Sequence, residues 1–195
     1  MRKIILYDRS KSSLSVETRR DNLPSSVLSH CFSHSLKDDQ LNSRIAYSLL
    51  YKFRKENKIP LNPTFFSKNG KPYRKNGLFF SISHSRNRIA LLISSKECGI
   101  DIQEVQNKDF DSMSERVLSS REHSLYLKSK DKPSFFTSCW VRKEAYLKRI
   151  GTGITSLSEL KKIDENLAIS SILDSEGNKL LLLYRYLASA HLFSC

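Results

Sequence analysis

No apolar run in this 195-residue chain approaches the ~20 consecutive residues that a helix needs to span a bilayer, which excludes a helical membrane protein. The N-terminal stretch MRKIILYD has a basic start, but its apolar part ends at Asp8, too short for the h-region of a secretory signal. Cysteine is sparse and scattered. Cys31, Cys98, Cys139 and Cys195 form no C-x-x-C pair, so the usual patterns of a zinc site or a disulfide framework are missing, and a reducing, cytoplasmic setting is the expectation. There is no short-period repeat and no low-complexity linker. What is present is 39% apolar and 27% charged residues, which rules out wholesale disorder. A chain of this size buries roughly 70% of its unfolded surface without needing staples.

Charge is distributed unevenly. The formal net charge is +13; residues 1–98 hold 19 basic and 7 acidic side chains, whereas residues 99–195 hold 14 and 13. An excess confined to one half predicts an anionic partner that docks mainly there, although a plain solubility charge would also account for it. The two polyanions to weigh are a nucleic acid and a phosphorylated ligand with an acidic partner protein. A non-catalytic nucleic-acid-binding module is one reading of the charge and the interspersed Tyr and Phe. Against it, the chain shows no helix-turn-helix, RNP-like or zinc-finger pattern.

Alternating and four-residue periodicities indicate both strands and helices. Residues 1–8 read as a first strand, and Ser25–His34 as a weak helix. Leu41, Ile45, Leu49 and Phe53 recur four apart and predict a helix over Asp38–Lys55, with Asp38 or Asp39 as its cap. Pro60–Gly77 is loop and turn, and within it Lys68, Lys71, Arg74 and Lys75 crowd together. Strands follow at Leu78–Ser83, Arg88–Ser94 and Cys98–Val105. Helices are predicted at 113–130 and Phe135–Ile150, the latter stopping at Gly151. Strand-like runs at Leu167–Leu173 and Lys179–Leu187 flank a DSEGN turn, and a short run follows at Ala190–Ser194. The expected class is α+β (mixed α/β).

Three constellations could carry chemistry. FFSISHS (79–85) ends a strand with Ser83, His84 and Ser85, two hydroxyls and an imidazole suited to phosphate. Ser83 and His84 are a poor nucleophile–base pair, because neighbours on a strand point to opposite faces. CGIDIQ (98–103) sets Asp101 among residues of a buried strand, where a carboxylate must be hydrogen-bonded, paired or bound to a cation. Gln103 shares its face and Glu104 does not. On the helix WVRKEAYLK (140–148), Trp140, Glu144 and Lys148 form a column at i, i+4 and i+8. Alone, these would be a hairpin turn, a strand-end aspartate and a surface Glu–Lys pair. Together they allow two carboxylates to share Mg²⁺, a hard ion that takes oxygen ligands alongside substrate phosphates. Lys143, Lys148, His84 and the 68–75 cluster would surround a polyphosphate, and the implied reaction is displacement at phosphorus.

The order GKPY (70–73), FSISHS (80–85), GIDI (99–102) and WVRKEAYLKRIGTGI, whose Glu144 lies 43 residues after Asp101, resembles the Sfp-type 4′-phosphopantetheinyl transferases. The likeness is dense from Lys71 to Ile154. It implies a 4′-phosphopantetheinyl transferase fold with a pseudo-twofold arrangement of two similar halves, here 1–98 and 99–195, and an active site in the cleft between them. It further implies transfer of the phosphopantetheine arm of coenzyme A to a serine of an apo acyl, peptidyl or aryl carrier protein, with release of adenosine 3′,5′-bisphosphate. By the same resemblance Asp101 and Glu144 would hold Mg²⁺. Glu144 would also take the serine proton, directly or through a water, and Lys148 would neutralise charge on the breaking pyrophosphate. Lys71, Ser83, His84 and Lys143 match positions that hold coenzyme A phosphates; Arg74 and Lys75 join them on charge alone. Many members carry an acid where this chain has Gln103, so its amide oxygen or a water would fill the third metal position. That departure keeps open a degenerate relative that binds coenzyme A without turnover. The family also often has Arg or Lys near Asn42; Arg44 lies two positions on. A small acidic carrier protein is the implied partner, docking near 113–130, and a monomer is implied; fatty-acid, polyketide and nonribosomal-peptide pathways all remain open.

Overall fold

A computed structural model describes residues 2–11, 23–60, 64–66, 72–73, 78–153, 157–163, 170–173 and 179–186. The chain begins with strand β1 (Arg2–Asp8) and a 3₁₀ turn (Arg9–Lys11), followed by helices α1 (Ser25–Phe32) and α2 (Lys37–Glu56). Two short strands, β2 (Phe65–Phe66) and β3 (Pro72–Tyr73), pair with each other inside the stretch expected to be loop. Strands β4 (Phe79–Ser85), β5 (Arg88–Ser94) and β6 (Cys98–Glu104) come next. Helices α3 (Asp111–Val117), α4 (Ser120–Lys128), α5 (Lys132–Ile150) and α6 (Leu157–Leu160) precede strands β7 (Ser170–Leu173) and β8 (Lys179–Tyr186). The run expected at Ala190–Ser194 lies outside the described residues.

Two three-stranded antiparallel sheets, ordered β1-β5-β4 and β6-β8-β7, share one connectivity. In each, a strand leads through helices into a hairpin, and the first strand pairs with the hairpin's last. Val27, Tyr47, Leu50, Phe80, Leu91 and Ile93 pack together in the N-terminal half. Phe110, Val117, Tyr126, Phe136, Cys139 and Leu147 do so in the C-terminal half.

The sheets meet where β4 runs beside β6, and side chains join them there instead of a strand ladder. The amides of Ile100, Ile102 and Glu104 donate to the hydroxyls of Ser81, Ser83 and Ser85 at 3.1, 3.3 and 3.0 Å. Serine at alternate positions of FSISHS thus satisfies edge N–H groups that would be costly to bury unpaired. Below this seam, Ala90 and Leu92 of β5 pack on Cys98, Ile100 and Ile102 of β6.

Helix boundaries differ from expectation for local reasons. Neither Asp38 nor Asp39 caps α2. Leu36 is the N-cap, without a side-chain bond, and the two aspartates occupy the first turn, where the helix dipole favours negative charge. The helix expected at 113–130 is broken in two by a capping box at Ser119. The Ser119 hydroxyl accepts from the Glu122 amide, and the Glu122 carboxylate accepts from the Ser119 amide. Helix α5 starts three residues early, at Lys132, because Asp131 caps the Ser134 amide and Pro133 suits a first turn. It ends at Gly151, whose φ of 80° is left-handed.

Candidate active site

Helix α5 lies directly on β6. A Cβ on Gly99 would sit 2.0 Å from the Ala145 carbonyl oxygen and 2.7 Å from the Arg149 nitrogen. Only glycine allows this approach, and it brings side chains of α5 within reach of the next residue but one on the strand. Lys148 Nζ is 2.6 Å from Asp101 Oδ1 and donates to Ser83 Oγ at 2.9 Å. The Ser83 hydroxyl donates in turn to Asp101 Oδ1 at 2.6 Å. Three chain segments, β4, β6 and α5, therefore converge on one carboxylate oxygen.

The other oxygen is different. Asp101 is 4% exposed, and its Oδ2 is buried with no hydrogen-bond partner among the described residues. A carboxylate oxygen left so is costly unless something else engages it. Both carboxylates, Asp101 and Glu144, line a cleft of about 550 Å³, with Gln103, Trp140, His84 and Lys148 on the same walls. Burial, the main cause, raises the Glu144 carboxyl above its ordinary range; the Lys148 charge opposes this and the Asp101 charge adds to it. Burial lowers the His84 imidazole, whose Nδ1 lies 3.8 Å from Asp39 Oδ1.

Among the described residues no three His, Cys, Asp or Glu side chains gather as a metal set. The oxygen donors here are two carboxylates and the Gln103 amide on one cleft. With the orphaned Asp101 Oδ2, that set suits a hard divalent cation such as Mg²⁺, so the residues present fit the ion the sequence reading implied.

Of the expected site residues, Ser83, His84, Asp101, Gln103, Glu144 and Lys148 all line this cleft. Lys71, Arg74 and Lys75 lie outside the described residues, although Pro72 between them lines the cleft. Lys143 requires correction. It is 1% exposed, and its ammonium contacts the Leu160 carbonyl at 2.8 Å, the Ile163 carbonyl at 2.5 Å and Glu122 Oε2 at 2.7 Å. Three donors meet three acceptors, and none remains for a phosphate. The residue before Glu144 on a helix is rotated ~100° from it, and that turn carries Lys143 off the cleft-lining face of α5. Ser83 is likewise committed, to Asp101, Lys148 and the Ile102 amide, so its hydroxyl orders the site instead of being held ready for a ligand. Asn42 is buried and donates to the Arg86 carbonyl at 2.9 Å, while the Arg44 guanidinium lies over Phe32.

Beyond the expected residues, His30, His34 and Tyr47 line the N-terminal wall of the cleft. His30 stacks on Phe66 with ring centroids 4.0 Å apart and meets Tyr47 edge-on. The spacing of His30 and His34 by four residues was the available signal, hidden in a serine-rich stretch.

Comparison with known proteins matches the family model of the 4′-phosphopantetheinyl transferase superfamily to residues 97–192. That region of the chain belongs to this superfamily. Curated proteins similar to the chain include several 4′-phosphopantetheinyl transferases. The 4′-phosphopantetheinyl transferase HetI of a Nostoc species is 32% identical over 105 residues, covering 49% of this chain and 44% of its own. The 4′-phosphopantetheinyl transferase gsp of Aneurinibacillus migulanus is 35% identical over 101 residues, covering 49% and 42%. The 4′-phosphopantetheinyl transferase AcpT of Salmonella typhimurium is 35% identical over 98 residues, covering 47% and 51%. The matches thus span about half the length of these relatives. The solved holo-[acyl-carrier-protein] synthase of Thermotoga maritima overlaps 45% of this chain and 61% of its own at 23% identity, with a TM-score of 0.33. The matched region contains Asp101, Gln103, Glu144 and Lys148, whereas Ser83 and His84 precede it.

Proposed function

We propose that this protein transfers the 4′-phosphopantetheine arm of coenzyme A to a serine hydroxyl of an apo carrier protein, releasing adenosine 3′,5′-bisphosphate. The observation that carries the reading is that Asp101, with its Oδ2 buried and unpartnered among the described residues, lines the same cleft as Glu144 and Lys148. Asp101, Glu144 and Gln103 would hold Mg²⁺, which when bound supplies positive charge to pyrophosphate oxygens. Glu144, directly or through a water, accepts the proton as the serine oxygen forms its bond to the phosphorus bearing pantetheine. The bond from that phosphorus to the bridging oxygen breaks, and the electron pair leaves with adenosine bisphosphate. Two of Lys148's three protons go to Asp101 and Ser83, and the third is available to the departing phosphate.

The shared connectivity of the two sheets supports a pseudo-twofold pair of halves with the site between them. The basic N-terminal half suits both coenzyme A and an acidic carrier protein. A cytoplasmic monomer is part of the same reading; among the described residues no helix is long and apolar enough to cross a membrane.

Incubation with coenzyme A, Mg²⁺ and a panel of apo carrier proteins, read by intact mass, should add one phosphopantetheinyl group to at least one carrier. The addition should vanish in excess chelator. No mass change across the panel overturns the reading.

A further inference from the structure

Lys143 sits beside Glu144 in sequence but reaches away from the cleft, and its three partners come from two other elements. Glu122 opens α4, where it already closes the capping box with Ser119. The Leu160 and Ile163 carbonyls lie at the end of α6 and the turn after it, where Lys161 bonds to Ser158, Lys162 to Glu159 and Ile163 to Leu160, and where Leu157, Leu160 and Ile163 pack on the C-terminal core. A four-residue helix has little stability of its own, so external partners fix its place. This segment continues from the turn at Gly151 and Gly153, both of which line the cleft. Gly151 is tied to α5 through the hydrogen bond its amide donates to the Leu147 carbonyl. Gly153 has a φ of 67° and open space around it. Gly151 is thus held by the end of α5, and the 157–163 segment, four residues on from Gly153, is held by Lys143.

We propose that Lys143 is a positioning residue, a buried clamp that pins the 157–163 segment to α4 and α5 and thereby sets the glycine rim against which the phosphorylated ligand packs. The ligand half of this inference rests on the transfer reading; the clamp does not. A buried ammonium suits the task because it satisfies two carbonyls and a carboxylate at one point, in a setting that water does not compete for. The face of α5 that carries Trp140, Glu144 and Lys148 is untouched by it, so affinity should respond and chemistry should not.

The test compares wild type, Lys143→Met and Glu122→Gln/Lys143→Met. The double variant removes both charges, so that no uncompensated carboxylate is left buried, and glutamine can still serve the capping box. Hydrogen exchange, coenzyme A binding by calorimetry and steady-state transfer are read on each. In the double variant the amides of 157–163 should lose protection while β6 keeps its own. The Kd and KM for coenzyme A should rise about tenfold, the usual scale of coupling through packed elements, with kcat within about twofold. Unchanged exchange at 157–163 overturns the clamp, and so does a fall in kcat with KM intact. If wild type binds no coenzyme A, the transfer reading fails, and the exchange comparison alone upholds or overturns the clamp.

Discussion

Two helices, one from each half, face the same cleft with side chains spaced four apart, and they present different chemistry. Helix α2 offers Ser43 and Tyr47; α5 offers Trp140, Glu144 and Lys148. Burial raises the Tyr47 phenol far above its ordinary range, holding it as a neutral hydroxyl. On α5 the same desolvation, beside the charges of Lys148 and Asp101, produces a carboxylate of raised basicity. The connectivity around both helices is shared, so topology alone does not decide where reactive groups sit. The approach of helix to strand does: Gly99 lets α5 lie on β6 closely enough for Lys148 to reach Asp101. The cleft's two carboxylates and its Lys148 ammonium therefore come from the C-terminal half, and the N-terminal half supplies histidine, serine and aromatic wall.

The sharpest way to break this contrast is to remove matching positions from the two helices. Glu144→Ala and Lys148→Ala should each lower transfer by about 10²–10³-fold, the usual scale for losing one group that acts on developing charge. Tyr47→Phe should change kcat by no more than about threefold, since it removes only a hydroxyl from a wall. A steady-state assay of transfer to an apo carrier protein checks both, and a Tyr47→Phe loss equal to that of Glu144→Ala would end the division of labour. Lys148→Ala should also cost about 3–5 kcal/mol of stability, because Asp101 is left buried without its ion-pair partner.

The next test addresses the approach itself. Gly99→Ala forces its new methyl against the α5 backbone and should destabilise the fold by about 1–3 kcal/mol through overpacking, or more if the helix cannot move. Transfer should fall along with stability, as Glu144 and Lys148 withdraw from Asp101. Gly153→Ala meets open space and pays only for its left-handed backbone, about 1–2 kcal/mol. Denaturant unfolding of the two variants ranks them directly, and Gly153→Ala proving the more damaging would contradict the packing account.

These contrasts also show what a linear chain discloses. The i, i+4, i+8 column on α5 and the alternation that puts Gln103 with Asp101 follow from helix and strand periods, so those residues were legible as a site before any fold was known. Lys143 was not. One step of a helix separates it from Glu144, and only the positions of α4 and α6 reveal that its charge is consumed internally. The hydroxyls of FSISHS suit phosphate when taken from sequence alone; their part in joining β4 to β6 depends on two sheets meeting edge to edge. The break at Ser119 was written locally as S-x-x-E, yet apolar spacing across 113–130 outweighed it.

The smallest expected effect separates the halves by pH. His30 and His84, on the N-terminal wall, both have imidazoles lowered from the ordinary value of 6.5, in each case chiefly by burial. A group whose folded pKa is depressed contributes stability above its unfolded pKa, and that contribution is lost as pH falls through the folded value. Glu144 is raised from its ordinary value of 4.5, and the sign reverses: its burial costs nothing while it stays protonated, and the cost appears as pH rises through the unfolded pKa towards the folded one. Acidification below 6.5 should therefore loosen the histidine wall, while easing the strain at Glu144. Wild-type stability should decline as pH drops from 6.5 towards 5, and a His30→Gln/His84→Gln variant should show a shallower decline over that window. Thermal melts across the range measure both slopes, and parallel slopes would mean that the two imidazoles are not held neutral by the wall that buries them.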